Sequence, residues 1–243
     1  MTSGDETRLA RRAPALTLQD HGPQIDMARM RAYRMGRAQT ELKRAGCVAA
    51  LLFDPVNVRY ATGTSSHSVF MFHIPSRYAV LPAEGKAVMF EMVGLEHTAK
   101  AIETVGEVRT ARSFTFFAAG PRVEEQARKW ASEVADLLRG IGGKERKIAV
   151  DRIEPVGLAA LQALGFTIVN AQGLMEYARV IKSEDEIGCM TAAISVGESG
   201  IARMREALRP GMTENELWSL LHQANIAQGG EWIEARLLSS GGN

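Results

Sequence analysis

The spacing of apolar residues along this chain alternates between a helical and a strand-like period. From Asp26 to Gly46, apolar residues recur every three to four positions, which is the period of an amphipathic helix. The run from Cys47 to Phe53 is apolar at every position, and this predicts a strand buried on both faces of a sheet. We interpret the next four residues, Asp54-Pro55-Val56-Asn57, as a turn.

The alternation continues over the following 120 residues. Two apolar runs joined through Pro82 and Gly85 predict an antiparallel hairpin, and a regular apolar stripe after Pro121 predicts a long helix. Further strands are predicted at 107–112, 147–151 and 166–170, and further helices at 94–103 and 155–164. Strands and helices in this order indicate an α/β fold with a mixed or mostly parallel sheet.

The pattern changes between Ala178 and Lys182. Two amphipathic helices follow, opening at Ser183 and Thr213, and a strand is predicted from Trp232 to Leu238. A single strand cannot pair its own backbone, so we expect the sequence to be a fragment that ends inside its second domain. The predicted organisation is an N-terminal arm at 1–24, an α/β domain at 25–177 and an incomplete second domain at 178–243.

Composition excludes several classes of protein. Lys and Arg number 29 against 28 Asp and Glu, and a net charge of +1 gives no electrostatic case for binding nucleic acid. No apolar run approaches the roughly 20 residues that span a bilayer. The only cysteines, Cys47 and Cys189, are predicted to be buried free thiols, which suits a reducing compartment. We therefore expect a cytoplasmic protein with neither nucleic-acid nor membrane partners.

One segment, 65–77, combines several residues that could bind a ligand. Its Arg77 could hold a carboxylate with two parallel hydrogen bonds, and its aromatic rings could hold a cation. The alternative, which the residues leave open, is that Phe70 and Phe72 pack inward while Arg77 is solvated. His73 and His67 are the histidines of this segment, and His73 lies beside the aromatic residues.

Other candidate chemistry is weaker. None of the five histidines has the paired spacing that places two metal ligands on one helix face, so no metal site is predicted within the chain. Phe114, Phe116 and Phe117 are interpreted as core and turn residues rather than as a pocket. The residues taken alone therefore indicate an α/β protein without specifying an activity.

A resemblance to a known family adds an activity. The stretch 179–187, Arg-Val-Ile-Lys-Ser-Glu-Asp-Glu-Ile, resembles the motif that opens the catalytic domain of the creatinase, aminopeptidase P and prolidase superfamily. Segments 54–63, 209–214 and 229–231 resemble that superfamily in the same order. The resemblance implies a creatinase-type N-terminal domain with a mixed sheet, followed by the first helices and strand of a truncated pita-bread α+β catalytic domain.

Segments 21–26, 70–78 and 116–122 are similar to the dimethylsulfoniopropionate lyases of this superfamily. This similarity implies a metal-dependent carbon–sulfur lyase that cleaves a small zwitterionic substrate to dimethyl sulfide and acrylate. An Xaa-Pro peptidase or prolidase, or a creatinase-like hydrolase, is the first alternative. A non-catalytic binding module is the second.

The resemblance also implies a cofactor and a partner. Two divalent metal ions, with iron as the expected metal, would be held by carboxylate and histidine ligands beyond Asn243, so no catalytic or metal-binding residue is assigned within residues 1–243. Superfamily members commonly form homodimers in which the N-terminal domain of one subunit borders the active site of the other. By their position, Phe72, His73 and Arg77 are expected to bind substrate in that neighbouring site.

Overall fold

The structure, a computed structural model, describes residues 25–66, 68–231, 233 and 235–241. The chain divides into a larger unit, Met27–Ser183, and a smaller unit that includes Asp26 and the residues from Glu184 onward. The predicted N-terminal arm at 1–24 lies outside the described residues.

A six-stranded mixed sheet forms the centre of the larger unit. Its strands, in chain order, are β1 (Ala49–Leu52), β2 (Tyr78–Pro82), β3 (Ala87–Glu91), β4 (Val105–Thr110), β5 (Lys147–Val150) and β6 (Thr167–Asn170). In space they lie in the order β4-β3-β2-β1-β5-β6. Strand β2 runs antiparallel to both of its neighbours, and the other three pairs are parallel.

Two predictions about the strands are confirmed. The apolar run in β1 is buried on both faces of the sheet: Ala50 and Leu52 belong to one core cluster, and Ala49 and Leu51 belong to the other. The predicted hairpin is formed by β2 and β3, which pair antiparallel with Tyr78 opposite Phe90.

Helices cover both faces of this sheet. One face is covered by α1 (Met27–Arg44), α2 (Pro55–Thr62) and α8 (Gln172–Val180), and the opposite face by α6 (Val123–Gly142) and α7 (Pro155–Ala163). Three short helices lie in the connections: α3 (Ser68–His73), α4 (His97–Lys100) and α5 (Phe116–Ala119). The arrangement is the predicted α/β fold, with one apolar core on each side of a shared sheet.

Four of these helices were not predicted: α2, α3, α5 and α8. Residues 54–57 open α2 instead of forming an isolated turn, because the Asp54 carboxylate accepts hydrogen bonds from the N–H groups of Val56 (2.8 Å) and Asn57 (3.2 Å) and Pro55 occupies the first helical position. Helix α8 was also missed. It is held against α2 by Tyr60, whose hydroxyl donates to the carbonyl of Ala178 at 2.8 Å, and against α1 by Arg37, which donates to the carbonyls of Tyr177 and Ala178.

The smaller unit contains the two helices predicted for it, α9 (Glu184–Ala207) and α10 (Glu214–Ala227). The capping box at the start of α10 is confirmed, with Thr213 and Glu216 each accepting a hydrogen bond from the other's backbone N–H. The two helices pack closely at Gly200, where a β-carbon would lie 2.4 Å from Leu221 Cδ1.

Much of the apolar surface of α9 is exposed to solvent. Ile187, Met190, Ile194 and Ile201 are each about half exposed. The strand predicted over 232–238 is not formed by the described residues of that range, 233 and 235–238. No neighbouring strand pairs with those described residues, and a strand requires such a partner for its backbone hydrogen bonds.

The two thiols differ in burial. Cys47 is buried as predicted, whereas Cys189 is only partly buried, which corrects the expectation for the second thiol; neither forms a disulfide. Within the described residues, no helix combines the length and the apolar character needed to cross a membrane.

Candidate functional site

The segment between Thr64 and Arg77 carries α3 and the side chains that were predicted to bind substrate. Its two ends are fixed to each other in the interior of the larger unit. The Arg77 Nη2 group donates a hydrogen bond to the Thr64 hydroxyl, and Arg77 Nε donates to both carboxylate oxygens of Glu91 at 2.9 and 2.8 Å. Arg77 directly precedes β2 and Glu91 ends β3, so adjacent strands of the hairpin bring these charges together.

The ion pair between Arg77 and Glu91 is almost inaccessible to solvent. The two residues are 4% and 2% exposed, respectively. Arg77 is therefore not the solvated residue of the alternative interpretation, and its charge is already neutralised inside this chain. A role for Arg77 in substrate binding stays a prediction, and its burial favours a structural role.

The other two predicted residues lie at the end of α3 and reach the surface. Phe72 is partly buried, and the Arg152 guanidinium carbon lies 5.5 Å from the centre of its ring. The same guanidinium donates a hydrogen bond to the Phe72 carbonyl at 2.8 Å. His73 is exposed, as is Phe70, so the aromatic residues of this segment do not all pack inward.

His73 also lines an open groove of about 820 Å³, which we call the Phe116 groove. Its apolar wall includes Ile74, Phe114, Phe116 and Phe117. Phe114 is buried as expected, but Phe116 and Phe117 are 74% and 76% exposed, which corrects their interpretation as core and turn residues. They lie on the four-residue helix α5, in which only Ala119 is buried.

The rim of the Phe116 groove carries both signs of charge. Three carboxylates (Glu124, Glu125 and Glu154) and two guanidinium groups (Arg122 and Arg128) line it. Glu125 is paired with Lys129 at 2.6 Å, and this hydrogen bond lowers the pKa of the Glu125 carboxyl. Aromatic rings beside carboxylates are suited to cations, including sulfonium and quaternary ammonium groups.

A second, smaller crevice of about 350 Å³ opens at the carboxyl ends of β1 and β5. These strands are parallel neighbours, and the helices that follow them, α2 and α7, pack on opposite faces of the sheet. In α/β proteins, a binding crevice commonly forms where the helices that follow two neighbouring parallel strands pack on opposite faces of the sheet. In this chain the crevice is lined by Asp54, Asn57 and Asp151, among other polar residues.

The polar groups of this crevice bond mainly to one another. Asp151 accepts hydrogen bonds from the N–H groups of Phe53 (2.8 Å), Asp54 (3.2 Å) and Arg152 (2.6 Å), and from the Asn57 side-chain amide (3.0 Å). The Asn57 oxygen in turn accepts from Arg179. Burial raises the pKa of the Asp151 carboxyl, although its hydrogen bonds act in the opposite direction. We interpret Asp151 as a structural link between the ends of β1 and β5.

Replacing Asp151 with alanine is expected to lower the free energy of unfolding by about 1–3 kcal/mol, because four donors would lose one shared acceptor. Urea unfolding followed by circular dichroism measures this difference. The matched control is Asp136→Ala, which removes an exposed aspartate paired with Arg139 and is expected to cost no more than about 0.5 kcal/mol. Equal losses in the two variants would contradict the structural role of Asp151.

No metal site is evident in the part of the chain that the structure describes. Within it, no three side chains of His, Cys, Asp or Glu converge in a way that could hold an ion. His67, one of the five histidines, lies outside the described residues. The described residues therefore do not fit the metal centre that the family resemblance implies.

Sequence reasoning missed three residues of this region: Glu91, Asp151 and Arg152. A signal was available for Glu91, since it is the one acid at the end of an otherwise apolar strand, and a buried carboxylate needs a cation. Asp151 likewise follows directly after an apolar strand. Nothing local connects Arg152 to Phe72, because the two are 80 residues apart in the chain.

The mixed sheet with a helical layer on each face defines an α/β domain. The chain belongs to the creatinase/prolidase N-terminal domain family, whose model matches residues 34–181. This match lies within the larger unit of the structure.

Curated relatives include two proteins named dimethylsulfoniopropionate lyase DddP. The protein from Roseobacter denitrificans is 37% identical over 221 residues, which are 89% of this chain and 49% of the relative. The protein from Roseovarius nubinhibens is 36% identical over 221 residues, which are 89% of this chain and 50% of the relative. The chain thus spans about half the length of the curated relatives it matches.

Solved structures with the same fold include peptidases. An Xaa-Pro dipeptidase from Bacillus anthracis has a TM-score of 0.58 at 18% identity, with 81% of this chain and 49% of that chain covered. A prolidase from Thermococcus sibiricus has a TM-score of 0.60 at 20% identity, with 82% of this chain and 50% of that chain covered. At these identities the likeness establishes the fold alone.

Proposed function

We propose that this chain forms the N-terminal part of a dimethylsulfoniopropionate lyase. The observation that carries the proposal is 37% identity to a lyase of that name over 89% of this chain. The Xaa-Pro dipeptidase and the prolidase share 18% and 20% identity, about half as much. Nothing comparable supports a peptidase, a creatinase-like hydrolase or a binding module.

The proposed reaction removes a proton from the carbon next to the substrate carboxylate. The electron pair of that C–H bond forms the double bond of acrylate, the carbon–sulfur bond breaks, and its electrons leave with neutral dimethyl sulfide. The proposal includes two divalent metal ions, with iron as the metal, as cofactors of a longer protein. The described residues do not fit a metal centre, so the proposal assigns the ligands of both ions to the longer protein.

The contribution proposed for this chain is a surface that borders the substrate in a homodimer. Phe72 and His73, at the end of α3, are the side chains proposed to contact substrate in the neighbouring subunit's site. An aromatic ring can stabilise a sulfonium cation through the negative charge density of its face. Arg77 contributes by anchoring the segment that carries these two side chains. We further propose that the protein is located in the cytoplasm.

The test uses the protein expressed from the complete reading frame that encodes this chain. Incubation with dimethylsulfoniopropionate is expected to release dimethyl sulfide, measured by gas chromatography, together with one equivalent of acrylate. A proline dipeptide and creatine, each offered under the same conditions, are expected to remain intact. The 243-residue chain alone is expected to be inactive.

Three outcomes would contradict the proposal. Hydrolysis of the dipeptide or of creatine without sulfide release would identify a hydrolase. Saturable binding of dimethylsulfoniopropionate without turnover, in protein supplied with divalent iron, would indicate a binding module. Sulfide release by the 243-residue chain alone would show that the active site does not need a longer protein.

A further inference from the structure

The Arg152 side chain contacts the last turn of α3 in two ways. Its Nη2 group donates to the Phe72 carbonyl at 2.8 Å, and its guanidinium carbon lies 5.5 Å from the centre of the Phe72 ring. It forms no ion pair with a carboxylate of the described residues. Its described side-chain contacts are therefore directed at a single residue of α3.

The backbone of Arg152 is fixed at the carboxyl end of β5. Its N–H donates to the Asp151 carboxylate at 2.6 Å, and that carboxylate is held by the N–H groups of Phe53 and Asp54 at the end of β1. The backbone of Arg152 is thus tied to two central strands of the sheet. A long side chain whose backbone is fixed can orient the group that its guanidinium binds.

The group that Arg152 binds is the carboxyl end of α3. Carbonyls in the last turn of a helix lack partners inside the helix, and basic side chains commonly satisfy them. Ile74 donates its N–H to the carbonyl of Phe70 at 2.9 Å, and Arg152 satisfies the carbonyl of Phe72. The Arg152 guanidinium also lies within cation–π distance of the Phe72 ring.

We propose that Arg152 is a positioning residue that fixes the end of α3, so that the Phe72 ring and the adjacent His73 are presented in one orientation. The orienting role stands on the contacts of Arg152 alone. Its consequence for substrate binding rests on the proposed function, in which Phe72 and His73 contact the substrate. Arg152 itself is not expected to take part in bond breaking.

The orienting role is tested by hydrogen–deuterium exchange of the backbone amides of residues 68–74, in the protein from the complete reading frame. Arg152→Gln is expected to accelerate their exchange about 5-fold, because the variant loses a cation–π contact at the surface and one charged hydrogen bond. The matched control is Arg146→Gln, which removes an arginine that also lies over an aromatic ring (Phe166, 5.8 Å) and donates to backbone carbonyls, but at the opposite end of β5. Exchange that is unchanged in Arg152→Gln, or equally accelerated in Arg146→Gln, would overturn the proposal.

The consequence for binding is tested by steady-state kinetics with dimethylsulfoniopropionate. Arg152→Gln is expected to raise KM about 5-fold while kcat changes less than 2-fold, and Arg146→Gln is expected to leave both constants unchanged. Accelerated exchange with an unchanged KM would overturn the substrate part of the proposal. If the unaltered protein releases no sulfide, the proposed function fails, and the exchange experiment still decides whether Arg152 orients α3.

Discussion

Replacing Glu91 with alanine is expected to lower the free energy of unfolding of the larger unit by about 3–5 kcal/mol, which is close to the whole stability of many domains. The variant leaves the Arg77 guanidinium buried without its carboxylate partner. An uncompensated charge in the interior costs far more than the ion pair contributes, because water cannot reach it. Urea unfolding followed by circular dichroism measures the difference.

The matched control for this prediction is an exposed ion pair on the neighbouring strand. Glu107 contacts Arg109 at 2.7 Å, and both side chains are accessible to water. Glu107→Ala is therefore expected to cost no more than about 1 kcal/mol. The double variant Arg77→Met with Glu91→Leu is expected to recover much of the loss, since no buried charge remains. A small loss in Glu91→Ala would contradict the burial of the pair.

The second large effect is expected at Trp130, which is completely buried in α6. Its ring lies 4.5 Å from the centre of Phe114 and 6.0 Å from that of Phe53, in an aromatic cluster between α6 and the sheet. Trp130→Ala would remove the largest side chain of this core and is expected to cost about 3–5 kcal/mol. The same urea titration measures it.

Two further variants separate packing from polarity at this position. Trp130→Phe is expected to cost no more than about 1.5 kcal/mol, because it keeps an aromatic ring and removes an indole N–H that has no hydrogen-bond partner among the described residues. Phe117→Ala, at an exposed aromatic residue, is expected to change stability by no more than about 0.5 kcal/mol. A Phe117→Ala loss as large as that of Trp130→Ala would contradict this account of the core.

The burial of Arg77 determines which variants can test the candidate site. Because Arg77 is buried against Glu91, a loss of activity in an Arg77 variant would not by itself indicate contact with substrate. Phe72, His73 and Arg152 are better targets, since they reach the surface and their replacement leaves the two cores intact.

The sequence singled out a candidate segment but did not predict how its side chains are held. Segment 65–77 was chosen because it combines aromatic rings with His73 and Arg77, and in the structure Phe72 and His73 reach the surface whereas Arg77 is buried. The sequence could not predict whether Arg77 faces solvent, because an arginine is compatible both with an exposed position next to a strand and with a buried ion pair. The deciding partner, Glu91, becomes adjacent only when β2 and β3 pair.

The sequence by itself determined most of the helices and all six strands of the sheet, because helical and strand periods are local properties of a short stretch. It also carried the family resemblance. It did not distinguish the start of α2 from a turn, since Asp54 and Pro55 favour both.

Only the tertiary structure decided the order of the strands, the burial of Arg77 and the contact between Arg152 and Phe72. Each of these depends on residues that are distant in the chain and meet through strand pairing and the divergence of helices at the ends of β1 and β5. Local periodicity specifies which face of an element is apolar, and it does not specify which distant side chain will lie against it.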